Sequence, residues 1–413
     1  MRVLGLGLGL VSVVLLFAGQ ATAASSVRFG IQDDAWLQHG PGTLSARVAA
    51  LDRLGLDVVR VTVNWHEVEQ SPGSFTWRRT DALLNSLNSR GLDPVVTLWG
   101  TPGWANGDQP PNRAPDSATD FANFARTVAA RYRFVDHWVI WNEPNQRRWL
   151  DPVSPAQYVS QLLNPAYHAI KSVTPSAKVA GGVTAPRGNR GGMSPVSFLR
   201  LMDRAGAVLD AYAHHPYPSN PSDTPFYGAC SGCKTITMSS LERLVREVDR
   251  AFPRARIWLT EYGYQTTPDP FGLTLDLQAR YVAEAARRVH AVPKVDMLIH
   301  YLYRDEPDLA RWQSGLETVE GRAKPALSAM MLPLVQVSRR GSTTRLWGQV
   351  RPGSGRQRYA LQQLVGGRWV TQGGYRTTSA GGYLARRISA RRGAKLRLWY
   401  PSARAASLVL VVR

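Results

Sequence analysis

From residue 27 to residue 332, apolar positions recur in two alternating rhythms. Short continuous apolar runs of strand length alternate with longer stretches whose apolar residues return every three or four positions. The runs at 27–31, 57–65, 93–99, 138–141, 178–182, 210–214, 257–263 and 295–303 predict strands rich in β-branched and bulky residues. The stretches 45–54, 80–89, 117–131, 154–173, 239–251, 275–291 and 324–332 predict helices. Ser117 suits an N-cap, and Gly55 and Gly91 suit stops. Pro165 falls inside 154–173 and should kink or break that helix. Such alternation predicts parallel strands joined by crossover helices, and eight units suggest a closed (β/α)8 barrel (TIM barrel, class α/β). An open doubly wound sheet is the alternative, but no Gly-rich phosphate loop follows the first strand.

The rhythm changes after Val335. Short strands are expected at 344–350, 358–364, 368–370, 383–390, 395–400 and 408–412, with Gly366-Gly367 as a hairpin turn. They predict a small all-β domain, a sandwich of the immunoglobulin or fibronectin type. Charge changes at the same place. Sixteen of the 50 Lys and Arg lie from Val335 onward with no Asp or Glu, so the net +20 resides almost wholly there. Such a segment either binds an anionic partner (cell-wall polymer, acidic polysaccharide, membrane headgroups) or lends solubility while bracing the barrel.

At the other end, Arg2 is the lone charge before an apolar run to Phe17, and Ala21-Thr22-Ala23 is a small-residue cleavage site. This pattern reads as a secretory signal rather than a membrane anchor, and places the mature protein outside the cell. The expected organisation is a signal at 1–23, a catalytic barrel at 24–334 and a basic β-sandwich at 335–413. The two cysteines, Cys230 and Cys233, are two residues apart. In an oxidising compartment they read as a local disulfide clip, since a zinc site needs more ligands than this.

Two strand tips carry the candidate chemistry. The run Trp138–Trp141 ends in Asn142-Glu143, and Pro144 prevents the chain from continuing in regular structure. The run from Ile257 ends in Thr260-Glu261-Tyr262, and Gly263 turns the chain. Two glutamates at the carboxyl ends of separate strands form the arrangement that acid-assisted cleavage of a glycosidic bond requires. Asn64, Trp65, Trp99, His215, Tyr217 and Tyr303 also fall at expected strand ends.

Trp141-Asn142-Glu143-Pro144 together with Thr260-Glu261-Tyr262-Gly263 resembles the clan A glycoside hydrolases. The stretch Arg60-Val61-Thr62-Val63-Asn64-Trp65, with Glu69, Pro72-Gly73, Trp77, Gly315-Leu316 and Lys324-Pro325-Ala326, is similar to families 39 and 5. The resemblance spans residues 27–332. It implies a retaining mechanism with Glu143 as general acid/base and Glu261 as nucleophile. It implies that Asn142 holds the sugar 2-hydroxyl, that Arg60 and Tyr217 hydrogen-bond Glu261, and that His215 shapes the site near Glu143. Glu143 should then have a raised pKa. Trp99 stands where many family 5 members carry histidine, and Tyr303 where many carry a tryptophan platform, which tilts the pattern toward family 39. Trp65, Trp99 and Tyr303 are the expected aromatic contacts to substrate, with Trp104, Trp149 and Trp312 as further stacking candidates.

The function expected is thus secreted hydrolysis of a β-linked polysaccharide or oligosaccharide, with no metal or cofactor, by a monomer that binds carbohydrate and not nucleic acid. The contrasting reading is a catalytically silent carbohydrate- or wall-binding protein. The loops at 103–113 and 219–237 should decide between groove and pocket.

Overall fold

The computed structural model describes residues 27–228 and 234–413; the expected signal segment and both cysteines lie outside them. Eight parallel strands close into a barrel in chain order. They are β1 (Arg28–Gln32), β2 (Val58–Asn64), β3 (Asp93–Trp99), β4 (His137–Ile140), β5 (Lys178–Thr184), β6 (Ala211–His214), β7 (Arg256–Tyr262) and β8 (Val295–Tyr301). Closure is made by β8 pairing with β1, Ile299 opposite Gly30. Gly30 is needed for close approach: a Cβ there would sit 2.5 Å from a Val58 methyl carbon. Val58, Val95, Val139, Ala180, Ala211, Trp258, Met297 and Ile299 fill the barrel interior. The alternate positions pack outward under the helices, with Trp138, Ile140, Ile257 and Leu259 fully buried there.

The expected strands are all present, with ends moved by up to two residues. The eighth stops at Tyr301, not Tyr303, because Leu302 adopts a left-handed φ of 81° that no strand sustains. The helices Asp34–His39 and Pro195–Arg204 were not expected. The second follows a run rich in Gly and Arg that hides its start. At 154–173 the chain forms an α-turn (Pro155–Gln157), a π-helical segment (Tyr158–Leu163) and an α-helix (Asn164–Val173). Pro165 lies in the first turn of the last segment, where a missing N–H is tolerated. The wide π-turn carries Tyr158, whose hydroxyl donates to the Ile140 carbonyl at 2.8 Å and accepts from Gly182 N. It therefore ties the end of β4 to β5.

Beyond the barrel lie two antiparallel sheets. One has the order β14-β10-β9, from β9 (Leu334–Arg340), β10 (Thr343–Gln349) and β14 (Tyr383–Ser389). The other is built on β11 (Arg358–Val365), β12 (Arg368–Thr371) and β15 (Lys395–Tyr400), with the short strands β13 (Arg376–Thr377), β16 (Ala405–Ala406) and β17 (Leu410–Val411) alongside. Leu346, Leu361, Leu384, Leu396, Leu398 and Tyr400 form the core between them. Strand β9 was not expected; only its first residues, Leu334 and Val335, are buried. Trp347 and Val335 join the barrel core. Arg351 is buried against the barrel, with its guanidinium 3.9 Å from the centre of the Phe29 ring and a hydrogen bond to the Met330 carbonyl. The domain thus docks near the start of β1, away from the strand tips.

Candidate active site

Asn142 and Glu143 follow β4 on a strained turn. Trp141 has φ 72° and Glu143 φ 38°, both left-handed and both non-glycine. Such backbone persists only where its surroundings impose it. Here Trp141 N donates to Leu98 O, the Trp141 indole donates to Trp149 O at 2.6 Å, and Gln146 N donates to Glu143 O at 2.8 Å. Asn145 is clamped as well: its amide donates to Met193 O and its carbonyl accepts from Ala185 N. Glu261 needs no such device, since it lies within β7 itself.

Arg60, fully buried on β2, joins the two glutamate strands. Its Nε donates to Thr97 Oγ1 at 2.8 Å. One terminal nitrogen donates to Gln32 Oε1 at 2.7 Å and to Glu261 Oε1 at 2.5 Å. The other donates to Asn142 Oδ1 at 2.9 Å. A guanidinium only donates, so it fixes the Asn142 amide with oxygen toward Arg60 and leaves the NH2 for a substrate oxygen. Tyr217 donates its hydroxyl to Glu261 Oε2 at 3.1 Å. Burial, then the nearby Glu261 charge, push that hydroxyl well above its ordinary pKa, so it remains a donor.

His215 stands between the carboxylates. Its Nδ1 is 2.9 Å from Glu143 Oε1 and 3.6 Å from Glu261 Oε2. Its Nε2 is 3.1 Å from Thr260 Oγ1 and 3.4 Å from Arg60. Burial, with Arg60 assisting against Glu261, pushes the imidazole down to about 3, so it is neutral. Arg60 can only donate to Nε2, which favours the proton on Nδ1, facing the glutamates. His214, its neighbour, turns the other way, toward Thr184 and Ile236 O. Burial raises Glu143 to about 7, against the opposing pull of Arg60, the Trp149 indole, Arg148 and Arg187. One donor atom each from Glu143, His215 and Glu261 lie within 4.8 Å of one another. A metal ion would fit that spacing, but the Arg60 guanidinium already holds Glu261 and places positive charge there. The arrangement suits proton transfer better than cation binding.

A cavity of about 810 Å³ opens over these groups. Trp99, Asn142, Glu143, Tyr217 and Glu261 line it, as do Trp149, Arg187, Asn189, Tyr301 and Trp312. From the loop at 219–237, Ser219, Asn220 and Pro221 contribute; the loop at 103–113 does not reach it. Two expected aromatic contacts are corrected. Trp65 begins the helix Trp65–Val68 and is fully buried, stacked on Phe124, with its indole donating to Glu69 Oε2 at 2.7 Å. Tyr303, turned away by the left-handed Leu302, stacks on Trp36 at 4.1 Å and donates to Glu317. Neither lines the cavity; Tyr301 and Trp312 stand there instead. Gln32, Thr97 and Thr260, all in contact with Arg60 or His215, were missed. Their signal was a polar residue inside an otherwise apolar strand.

Paired glutamates after the fourth and on the seventh strand of a parallel eight-stranded barrel, with a sugar-sized cavity above them, define a glycoside hydrolase. The chain belongs to the cellulase family, glycosyl hydrolase family 5, whose family model matches residues 19–281. No curated protein sequence matches it significantly. Among solved structures, a family 39 glycoside hydrolase from Bacteroides cellulosilyticus is similar with a TM-score of 0.63 at 19% identity, covering 88% of this chain and 79% of that one. A glucosidase from Croceicoccus marinus is similar with a TM-score of 0.59 at 13% identity, covering 88% and 93%. A variant of a family 5 subfamily 18 enzyme from Streptomyces cattleya, in complex with Manb1-4GlcNAc, has a TM-score of 0.56 at 20% identity, covering 73% and 78%. These likenesses share the barrel fold.

Proposed function

We propose that the protein is a secreted retaining β-glycosidase acting on a β-linked polysaccharide or oligosaccharide. The observation that carries this is the closeness of the carboxyls. Glu143 and Glu261 bring oxygens within 4.8 Å of each other, the spacing of nucleophile and acid/base, with too little room for the water that inversion needs between them. In the first step the Glu261 carboxylate attacks the anomeric carbon while Glu143 gives its proton to the departing oxygen. In the second, Glu143 takes a proton from water as that water displaces Glu261 and releases the sugar with its original configuration. Arg60 and Tyr217 aim Glu261, and the Asn142 NH2 meets the 2-hydroxyl. His215 donates to Glu143 Oε1, leaving the other oxygen to carry the catalytic proton. The β-linked disaccharide bound by the Streptomyces cattleya relative supports the β-linkage. Secretion rests on the charge-then-apolar pattern of the first 23 residues.

A panel of aryl β-glycosides and β-linked polysaccharides, followed by NMR of the released anomer, tests the reading. Cleavage with first-formed β-anomer, abolished in Glu261→Ala, supports it. First-formed α-anomer, or full activity in Glu261→Ala, overturns it. A wild-type protein that binds the polysaccharides yet cleaves none makes it a binding protein.

A further inference from the structure

A second cleft, of about 370 Å³, lies between the barrel and the C-terminal domain. One wall is the end of the helix Leu275–His290, with Arg287 and His290; the other is the β10–β14 ladder, with Arg345, Trp347 and Arg387. Arg345 and Arg387 are directly opposite partners across antiparallel strands, on the same face of the sheet. Like charges so placed repel and destabilise the pair. Arg287 faces them from the helix, close enough for Arg345 to act on its charge. Among the described residues, none of the three makes an ion pair. The acid nearest in effect, Glu284, is held by Arg280 at 2.7 Å. Arg287 rests instead on the Phe226 ring, 4.8 Å from its centre. Trp347 floors the cleft, its indole donating to His290 Nδ1 at 3.3 Å. The domain contains no acidic residue that would neutralise the cluster from elsewhere.

We propose that this cleft binds the acidic groups of a polysaccharide, carboxylates or sulfates on a pyranose chain, and so holds the polymer on the enzyme away from the catalytic cavity. Three guanidiniums converging without a counter-ion form a recognition site for such anions, since each presents paired donors in fixed geometry. The repulsion between Arg345 and Arg387 is relieved when an anion bridges them.

The test uses the full-length protein, with polygalacturonate as probe and dextran as neutral control, and binding measured by calorimetry. The affinity measurement reads no turnover, so its outcome is independent of the glycosidase reading. Wild type should bind polygalacturonate and not dextran, and Arg345→Gln/Arg387→Gln should lose about tenfold or more in affinity. The same double variant should keep its activity on a small aryl glycoside and unfold at the same or a higher temperature, because the repulsion is gone. Arg391→Gln/Arg392→Gln, an exposed pair outside the cleft, should lose much less. Equal losses in the two double variants, or equal affinity of wild type for double-stranded DNA, would mean diffuse cationic attraction and overturn the site. No binding of polygalacturonate by wild type would overturn it as well.

Discussion

Arg60 and the arginine pair of the β10–β14 ladder are the same residue in opposite circumstances. Arg60 is fully buried, and its three nitrogens meet acceptors on the strands β1, β3 and β7 and on the turn after β4. Arg345 and Arg387 lie exposed on one ladder, facing each other without an acid. A buried cation must be satisfied by the fold, and the fold then depends on it. An exposed cation contributes little to stability, so its placement answers to something outside the chain. The active-site end is therefore the brittle region and the arginine ladder the tolerant one.

The largest expected effect breaks the catalytic pair directly. Glu261→Gln keeps the shape but removes the nucleophile, and kcat should fall by roughly 10⁴-fold or more with the fold retained. Steady-state kinetics beside circular dichroism check this; a loss below tenfold would remove Glu261 from the role. Arg60→Met comes next and should injure both properties. It strips Glu261 and Asn142 of their shared donor, so stability should drop by about 3–5 kcal/mol along with activity. Chemical denaturation measures it, and a variant as stable as wild type would contradict the contrast with Arg345.

The third effect is a pH limb. Glu143 must carry a proton to act as acid, and burial holds it at about 7. A carboxyl is protonated below its pKa, so kcat/KM should fall as pH rises through about 7. Arg148→Gln removes a charge that pulls Glu143 down and should move the limb upward. A limb that stays in place in this variant, or one that rises with pH, would mean another group sets it. On a substrate whose leaving group departs without protonation, the limb should vanish from the first step.

The two glutamates were legible because their surroundings were local: an apolar run, an acid, then Pro144 or Gly263 to end it. His215 and Tyr217 stood out at expected strand ends, but their roles, and Arg60 altogether, were legible only through the resemblance of their segments to known barrels. Trp65 and Tyr303 were misplaced for one reason, that a strand's last residue decides which way the next side chain turns. Leu302 takes a left-handed turn that its residue type disfavours, and Asn64 gives way at once to a helix. Both are imposed by tertiary packing, which no periodicity records. Gln32 and Thr97 were overlooked because a lone polar residue in a strand reads as noise until Arg60 is seen to need it.

The smallest effect sharpens this last point. Trp312 lies half-buried against Tyr217, with ring centres 4.7 Å apart, and lines the cavity. Tyr303 spends its ring on Trp36 and its hydroxyl on Glu317. Trp312→Ala should therefore raise KM by up to about tenfold, the worth of one aromatic contact, with a smaller change in kcat. Tyr303→Phe removes one hydrogen bond beneath the rim and should cost about 1 kcal/mol of stability while leaving KM within about twofold. Measuring both variants on the same glycoside separates a residue that touches sugar from one that supports the rim. If Tyr303→Phe raises KM and Trp312→Ala does not, the sugar platform belongs to the position first expected from sequence, and Leu302 must turn when substrate binds.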